Sequence, residues 1–164
     1  MQLGWITAAV AAVIAVTGPM VAVVAPRLKP STHLFGMTYA QFILPMFVEI
    51  GVFSTLVLLG IAYRKRAAVH RSMMLLATLS VISGATARID LIGNIFGEDN
   101  GWVGLFGPPL VLGGAILLVR LLMTRSLDRW YTAGYASLAL VYITAMHAAV
   151  GPTWTEVAHR IAGG

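Results

Sequence analysis

Four ionisable side chains stand inside long apolar segments of the sequence, where their chemistry would be most useful and their burial most costly. They are Glu49, Arg88, Asp90 and His147. A charged group at the centre of a bilayer costs ~2.5–3.5 kcal/mol on insertion scales, so such residues normally face inward, pair with one another, or handle ions and protons. Carboxyl and imidazole groups exchange protons, and a guanidinium holds carboxylates and anions. We therefore take these four residues as candidates for ligand or proton binding.

The elements that must position these residues are apolar segments of membrane-spanning length. The composition is 59% hydrophobic and 10% charged, with a mean hydropathy of +0.86, which excludes an ordinary soluble domain. Each segment is close to the ~20 residues that a transmembrane helix needs. The sequence predicts an all-α, single-domain bundle of five transmembrane helices with a short interfacial helix at the C-terminus. The predicted spans are residues 3–24, 39–63, 72–96, 102–123 and 131–150.

Three of the candidate residues fall at one depth. At ~1.5 Å per residue, Glu49, Arg88 and His147 each lie about 21 to 24 Å from the cytoplasmic end of their spans. A short loop joins the second and third spans, so these should be antiparallel neighbours in which Glu49 meets Arg88. Asp90 lies on another face of its helix and would instead cap the outer rim. The Glu49–Arg88 pair would either lock helix register or bind a ligand or proton, and both interpretations remain open.

The sequence offers little support for a metal, a cofactor or a catalytic centre. There are no cysteines, which excludes thiolate metal sites and cysteine-held iron–sulfur clusters. Haem held between two histidines would require His33 in an outer loop to fold inward towards His147. No serine–histidine–acid order, phosphate loop or HExxH spacing occurs, so we assign no metal site and no catalytic residue, and we favour a non-enzymatic role.

The basic residues indicate a topology rather than a nucleic-acid partner. With the N-terminus inside, seven basic residues face the cytoplasm and three face outward, and an excess of Lys and Arg marks the cytoplasmic side. The chain is therefore predicted to lie in a bacterial inner membrane with a cytoplasmic N-terminus. Lipid headgroups explain the net charge of +5, so we expect no nucleic-acid binding. The seven are Arg64, Lys65, Arg66, Arg71, Arg120, Arg125 and Arg129; the three are Arg27, Lys29 and Arg160.

One passage carries a family resemblance. It reads His70-Arg71-Ser72-Met73-Met74-Leu75-Leu76-Ala77-Thr78 and is followed by Ala87-Arg88. It resembles the DUF2306-like family of small bacterial integral membrane proteins, whose motif is His, two mostly basic residues, Leu-Met-Leu-Leu-Ala-Thr, and then Ala-Arg. The resemblance directs attention to His70, Arg71 and Arg88 but implies no activity. It also implies two further N-terminal spans, which the present chain would lack.

His70 itself has two interpretations. It would be a neutral residue that starts a helix and hydrogen-bonds the preceding loop, or it would contact a lipid headgroup or a quinone.

Two function hypotheses follow. In the first, the chain is a non-enzymatic accessory protein or complex subunit that meets lipids, protein partners or a second copy of itself. In the second, it handles a ligand, a proton or a cofactor such as haem or quinone in an outward-facing pocket formed by Glu49, Arg88 and His147.

Overall fold

Helices make up most of the described chain. The structure is a computed structural model that describes residues 2–29, 31–86, 89, 95–97 and 101–162. A hairpin of two-residue strands, β1 (His33–Leu34) and β2 (Met37–Thr38), follows the first helix. The helices are α1 (Gln2–Leu28), α2 (Ile43–Ala62), α3 (Ala67–Ser80), α4 (Ser83–Thr86), α5 (Gly101–Thr124), α6 (Arg129–Ala149) and α7 (Pro152–Ala162).

The helices have the length and polarity of membrane spans. Within the described ranges, four segments are long and apolar enough to cross a bilayer, and the count rises to five if α6 and α7, bent by 76° at their junction, are taken together as one span. The four are Ala9–Leu28, Ile43–Ala62, Ala67–Thr86 and Val103–Thr124. The predicted all-α membrane bundle is thereby confirmed, and α7 occupies the position of the predicted short C-terminal helix.

The centre of the bundle is built from α2, α3 and α6, which pack against one another. α1 packs on α2, and α5 packs on α6. α1 approaches α2 closely at Gly18, where an added Cβ would lie 2.6 Å from the Ile50 side chain. This contact lies one residue from Glu49, so α1 covers α2 near the candidate site.

The end of the bundle that carries the hairpin is tied together by polar contacts with α7. The Arg27 guanidinium at the end of α1 donates to the Ile161 carbonyl at 2.9 Å. The Gln41 amide donates to Thr155 Oγ1 at 2.9 Å, and Trp154 Nε1 donates to the Gln41 carbonyl at 3.2 Å. These bonds bind the end of α1 and the segment before α2 to the C-terminal helix.

The element boundaries differ from the predicted spans in three places. α1 continues to Leu28 through two internal prolines, and α2 begins at Ile43 rather than at residue 39 because the hairpin and its following turn precede it. The predicted third span, residues 72–96, begins earlier at Ala67 and is interrupted after Ser80. The interruption matters most, because it lies next to Glu49.

Candidate functional site

Glu49 lies on α2 and meets the interrupted helix directly. At ~1.5 Å per residue it is about 9 Å along α2 from Ile43. Ser83 Oγ donates a hydrogen bond to Glu49 Oε1. Ser83 is the first residue of α4, and it is 1% exposed. The break after Ser80 thus delivers a buried hydroxyl to the Glu49 carboxyl.

Tyr142 of α6 holds the broken end of α3. Its hydroxyl donates to the Ser80 carbonyl at 2.9 Å, and its side chain is fully buried. The last four carbonyls of a helix have no partner within that helix, so a donor from elsewhere must satisfy them when they are buried. The Tyr142 ring stacks on Phe106 of α5 with centroids 4.0 Å apart, which fixes where the hydroxyl points.

Small hydroxyl groups satisfy the backbone around the break. Ser80 Oγ donates to the Ala77 carbonyl at 2.8 Å, and Thr86 Oγ1 donates to the Ser83 carbonyl at 3.0 Å. Both side chains are buried. Irregular backbone at membrane depth is tolerated only where protein groups or water satisfy it. We call Glu49, Ser80, Ser83 and Tyr142 the break cluster, because their hydrogen bonds join the two sides of the break to α2 and α6.

The other predicted members of the Glu49 site have different outcomes. Arg88 and Asp90 lie outside the described residues, so the Glu49–Arg88 pair and the rim position of Asp90 stay predictions. Among the described residues, no hydrogen bond or ion pair joins His147 to Glu49. His147 is exposed, and five residues at ~100° each place it about 140° around α6 from Tyr142. The outward-facing pocket of Glu49, Arg88 and His147 stays a prediction, because Arg88 lies outside the described residues.

His70 binds the end of the preceding helix. Its Nδ1 lies 2.7 Å from the Gly60 carbonyl oxygen. A carbonyl only accepts, so Nδ1 carries the proton in this bond. Gly60 is in the last turn of α2, where carbonyls lack intrahelical partners. The predicted hydrogen bond of His70 therefore exists, but its acceptor belongs to α2 rather than to the loop.

The remaining histidines lie apart from this position. His33 is exposed on the hairpin. Across the part of the chain that the structure describes, no three histidine or carboxyl groups lie close enough together to hold a metal ion.

A tyrosine face on α6 escaped the sequence analysis. Tyr131 donates to the Gly113 carbonyl at 3.2 Å, and Tyr135 donates to the Leu110 carbonyl at 2.5 Å, both on α5. With Tyr142 they are spaced i, i+4 and i+11, which places all three hydroxyls on one side of a helix. A hydroxyl in an apolar environment needs a partner, so this spacing could have predicted the face that α6 turns towards α3 and α5.

The loop end of the bundle is organised by Asp128, the N-cap of α6. Its Oδ1 accepts from the backbone N–H groups of Trp130 (2.9 Å) and Tyr131 (3.3 Å). Its Oδ2 accepts from Ser72 Oγ at 3.3 Å and pairs with Arg120 Nη1 at 3.2 Å. Burial alone would raise the pKa of Asp128, but these hydrogen bonds and the Arg120 charge together hold it below its usual value of 3.8.

Comparison with known proteins does not assign this chain to a family. No protein-family model, no curated protein and no solved structure matches the chain. The DUF2306-like resemblance consequently stays a prediction, and the functional argument rests on the contacts described above.

Proposed function

We propose that the protein is a multi-pass protein of the bacterial inner membrane, with its N-terminus in the cytoplasm, and that it acts as a non-enzymatic accessory protein or complex subunit. The break cluster carries this proposal. Its polar groups join helices: Ser83 links α4 to α2, and Tyr142 links α6 to α3. Interhelical hydrogen bonds of this kind stabilise membrane bundles without any reaction. The partner would be another membrane protein or a second copy of the chain.

The distribution of charge supports the proposed orientation. The loop from α2 to α3 and the loop from α5 to α6 lie at the same end of the bundle, as Ser72 and Asp128 show by their contact. The seven basic residues counted above lie at this end, and an excess of Lys and Arg is typical of the cytoplasmic face.

Cysteine labelling tests the orientation cleanly because the chain contains no cysteine. Ser126→Cys places a thiol in the loop between α5 and α6, and Ser31→Cys places one at the opposite end; both positions are exposed. In intact cells a membrane-impermeant maleimide should label Ser31→Cys at once and Ser126→Cys only after permeabilisation. The reverse pattern would contradict the proposed topology.

The accessory role is tested by measuring whether the protein forms a complex, not by measuring an enzymatic rate. Glu49→Gln keeps an oxygen that accepts from Ser83 but cannot ionise. We expect native membranes solubilised in mild detergent to yield the same high-mass assembly for the wild type, for Glu49→Gln combined with Arg88→Met, and for the exposed control Glu156→Gln. A chain that migrates only as a monomer in the wild type would contradict the role.

A second candidate function is proton or ligand handling at Glu49. The observation that favours it is that the hydrogen-bond partner of Glu49 is neutral, the hydroxyl of Ser83. The ion pairs within the described ranges, Arg120–Asp128 and Arg160–Glu156, do not involve Glu49. Carboxyls beside broken helices line proton and ion pathways in membrane proteins. Proteoliposomes that carry an internal pH dye would show a flux that Glu49→Gln abolishes; equal and zero flux in both would leave the accessory role as the better account.

A further inference from the structure

A cleft of about 370 Å³ lies at the loop end of the bundle, away from the break cluster. α3 contributes Ala68, Arg71 and Leu75, α5 contributes Ile116 and Arg120, and Asp128 stands at the start of α6. The volume falls within the ~300–1,000 Å³ typical of small-molecule sites.

The mouth of the cleft carries a net positive charge. Arg120 pairs with Asp128 through Nη1, yet its side chain remains 46% exposed while that of Asp128 is 10% exposed. A guanidinium has five N–H donors, so Arg120 keeps donors that face outward. Arg71 is exposed and has no ion-pair or hydrogen-bond partner among the described residues. Two cations against one already satisfied carboxylate leave the mouth suited to an anion.

The cleft becomes apolar towards the middle of the membrane. Leu75 and Ile116 each lie four residues deeper than Arg71 and Arg120 respectively, which is about 6 Å at ~1.5 Å per residue. Polarity therefore falls along the helix axes, in the direction in which a phospholipid passes from its phosphate to its acyl chains. A free phosphate would leave this apolar floor uncovered, and an acidic peptide would have to bury polar backbone there.

We propose that this cleft binds one anionic phospholipid, with the phosphate between Arg71 and Arg120 and an acyl chain against Leu75 and Ile116. The inference rests on the membrane location proposed above. Basic pockets between transmembrane helices on the cytoplasmic side are suited to anionic headgroups, and a guanidinium binds phosphate oxygens in a bidentate fork. The net charge of the mouth favours phosphatidylglycerol over a zwitterionic lipid.

Native mass spectrometry of the purified full chain tests the site. The chain in detergent is titrated with phosphatidylglycerol and with phosphatidylcholine of the same acyl chains. We expect one saturable phosphatidylglycerol, bound about tenfold more tightly than phosphatidylcholine, and a loss of about tenfold in Arg71→Gln. Arg64→Gln removes the same charge from the neighbouring loop, outside the cleft, and should change the affinity by less than about twofold.

A steric variant separates the cleft from diffuse attraction to a basic surface. Ala68→Phe fills the mouth without changing any charge, and Ala67→Phe makes the same change at an exposed position that does not line the cleft. Both retain the helical circular dichroism of the wild type if the fold is intact. We expect phosphatidylglycerol to be lost from Ala68→Phe and kept by Ala67→Phe.

Three results would overturn the inference. Equal losses in Arg71→Gln and Arg64→Gln would mean that the attraction is diffuse. Full binding to Ala68→Phe would place the lipid elsewhere. Displacement of the lipid by millimolar inorganic phosphate would make free phosphate the ligand. Because binding is measured on the purified chain, each of these results leaves the cysteine-labelling test of topology untouched.

Discussion

Replacement of Tyr142 by phenylalanine isolates one hydrogen bond of the break cluster. The ring and its stacking on Phe106 remain, while the Ser80 carbonyl loses the donor that lies 2.9 Å away. A buried polar group left without a partner costs about 1–3 kcal/mol in proteins, whereas interhelical bonds in membrane bundles average about 0.6 and reach about 1.7 kcal/mol. Ser80 ends α3 and is fully buried, so neither the helix nor water replaces the donor. We therefore expect a loss of about 1–1.5 kcal/mol.

The assay is equilibrium unfolding in mixed micelles titrated with sodium dodecyl sulfate and followed by circular dichroism. Tyr135→Phe is the matched control, because its hydroxyl donates to Leu110 in the interior of α5, where the carbonyl also has an intrahelical partner. The control should lose about 0.5 kcal/mol. If Tyr142→Phe cost no more than Tyr135→Phe, the idea that Tyr142 holds the broken end of α3 would be refuted.

The remaining predictions concern the loop end of the bundle. Asp128→Asn keeps the N-cap but loses the pairing with Arg120, so it should cost about 0.5 kcal/mol at neutral pH in the same unfolding assay. Because the folded pKa of Asp128 lies below 3.8, its contribution is present above that pH and should fade as the pH drops through the folded value; a constant difference from the wild type down to strongly acid pH would argue against it. His70→Ala should cost about 1 kcal/mol by exposing the Gly60 carbonyl, and His70→Asn, which can place a donor near Nδ1, should recover part of it; equal losses would exclude the capping role. Thr132 Oγ1 is buried without a partner in the described structure, so Thr132→Val should stabilise the chain by about 1 kcal/mol, and a loss of stability would reveal a missing partner.

The membrane architecture could be predicted from the sequence because it depends on segment length and hydropathy alone. Backbone N–H and C=O groups in lipid must be hydrogen-bonded within the protein, and a long apolar segment achieves this by forming an α-helix. Glu49 was identifiable for a related reason, since a carboxyl in an apolar segment is costly unless it has a partner. The hairpin at residues 33–38 was not predictable, because strands of two residues leave no periodic pattern.

The break after Ser80 could not be predicted from local sequence. The segment around Val81 and Ile82 is apolar and contains no proline, and the Ser83-Gly84 pair that follows is a weak signal because transmembrane helices tolerate glycine. The Ser80 carbonyl at the end of α3 instead accepts its hydrogen bond from Tyr142, which lies 62 residues later in the chain. For the same reason Ser83 was missed as the partner of Glu49, since a serine in an apolar segment usually bonds its own helix. The proposed partner Arg88 lies outside the described residues, and its pairing stays a prediction.

The most direct test of the account is the coupling energy between Glu49 and Ser83. A double-mutant cycle of Glu49→Met and Ser83→Ala, measured by unfolding in mixed micelles, isolates the interaction that joins α2 to the broken helix. We expect the two changes to be non-additive by about 0.6–1.7 kcal/mol, the range of interhelical hydrogen bonds in membranes. Additivity within about 0.3 kcal/mol would show that the two side chains do not hold the bundle together.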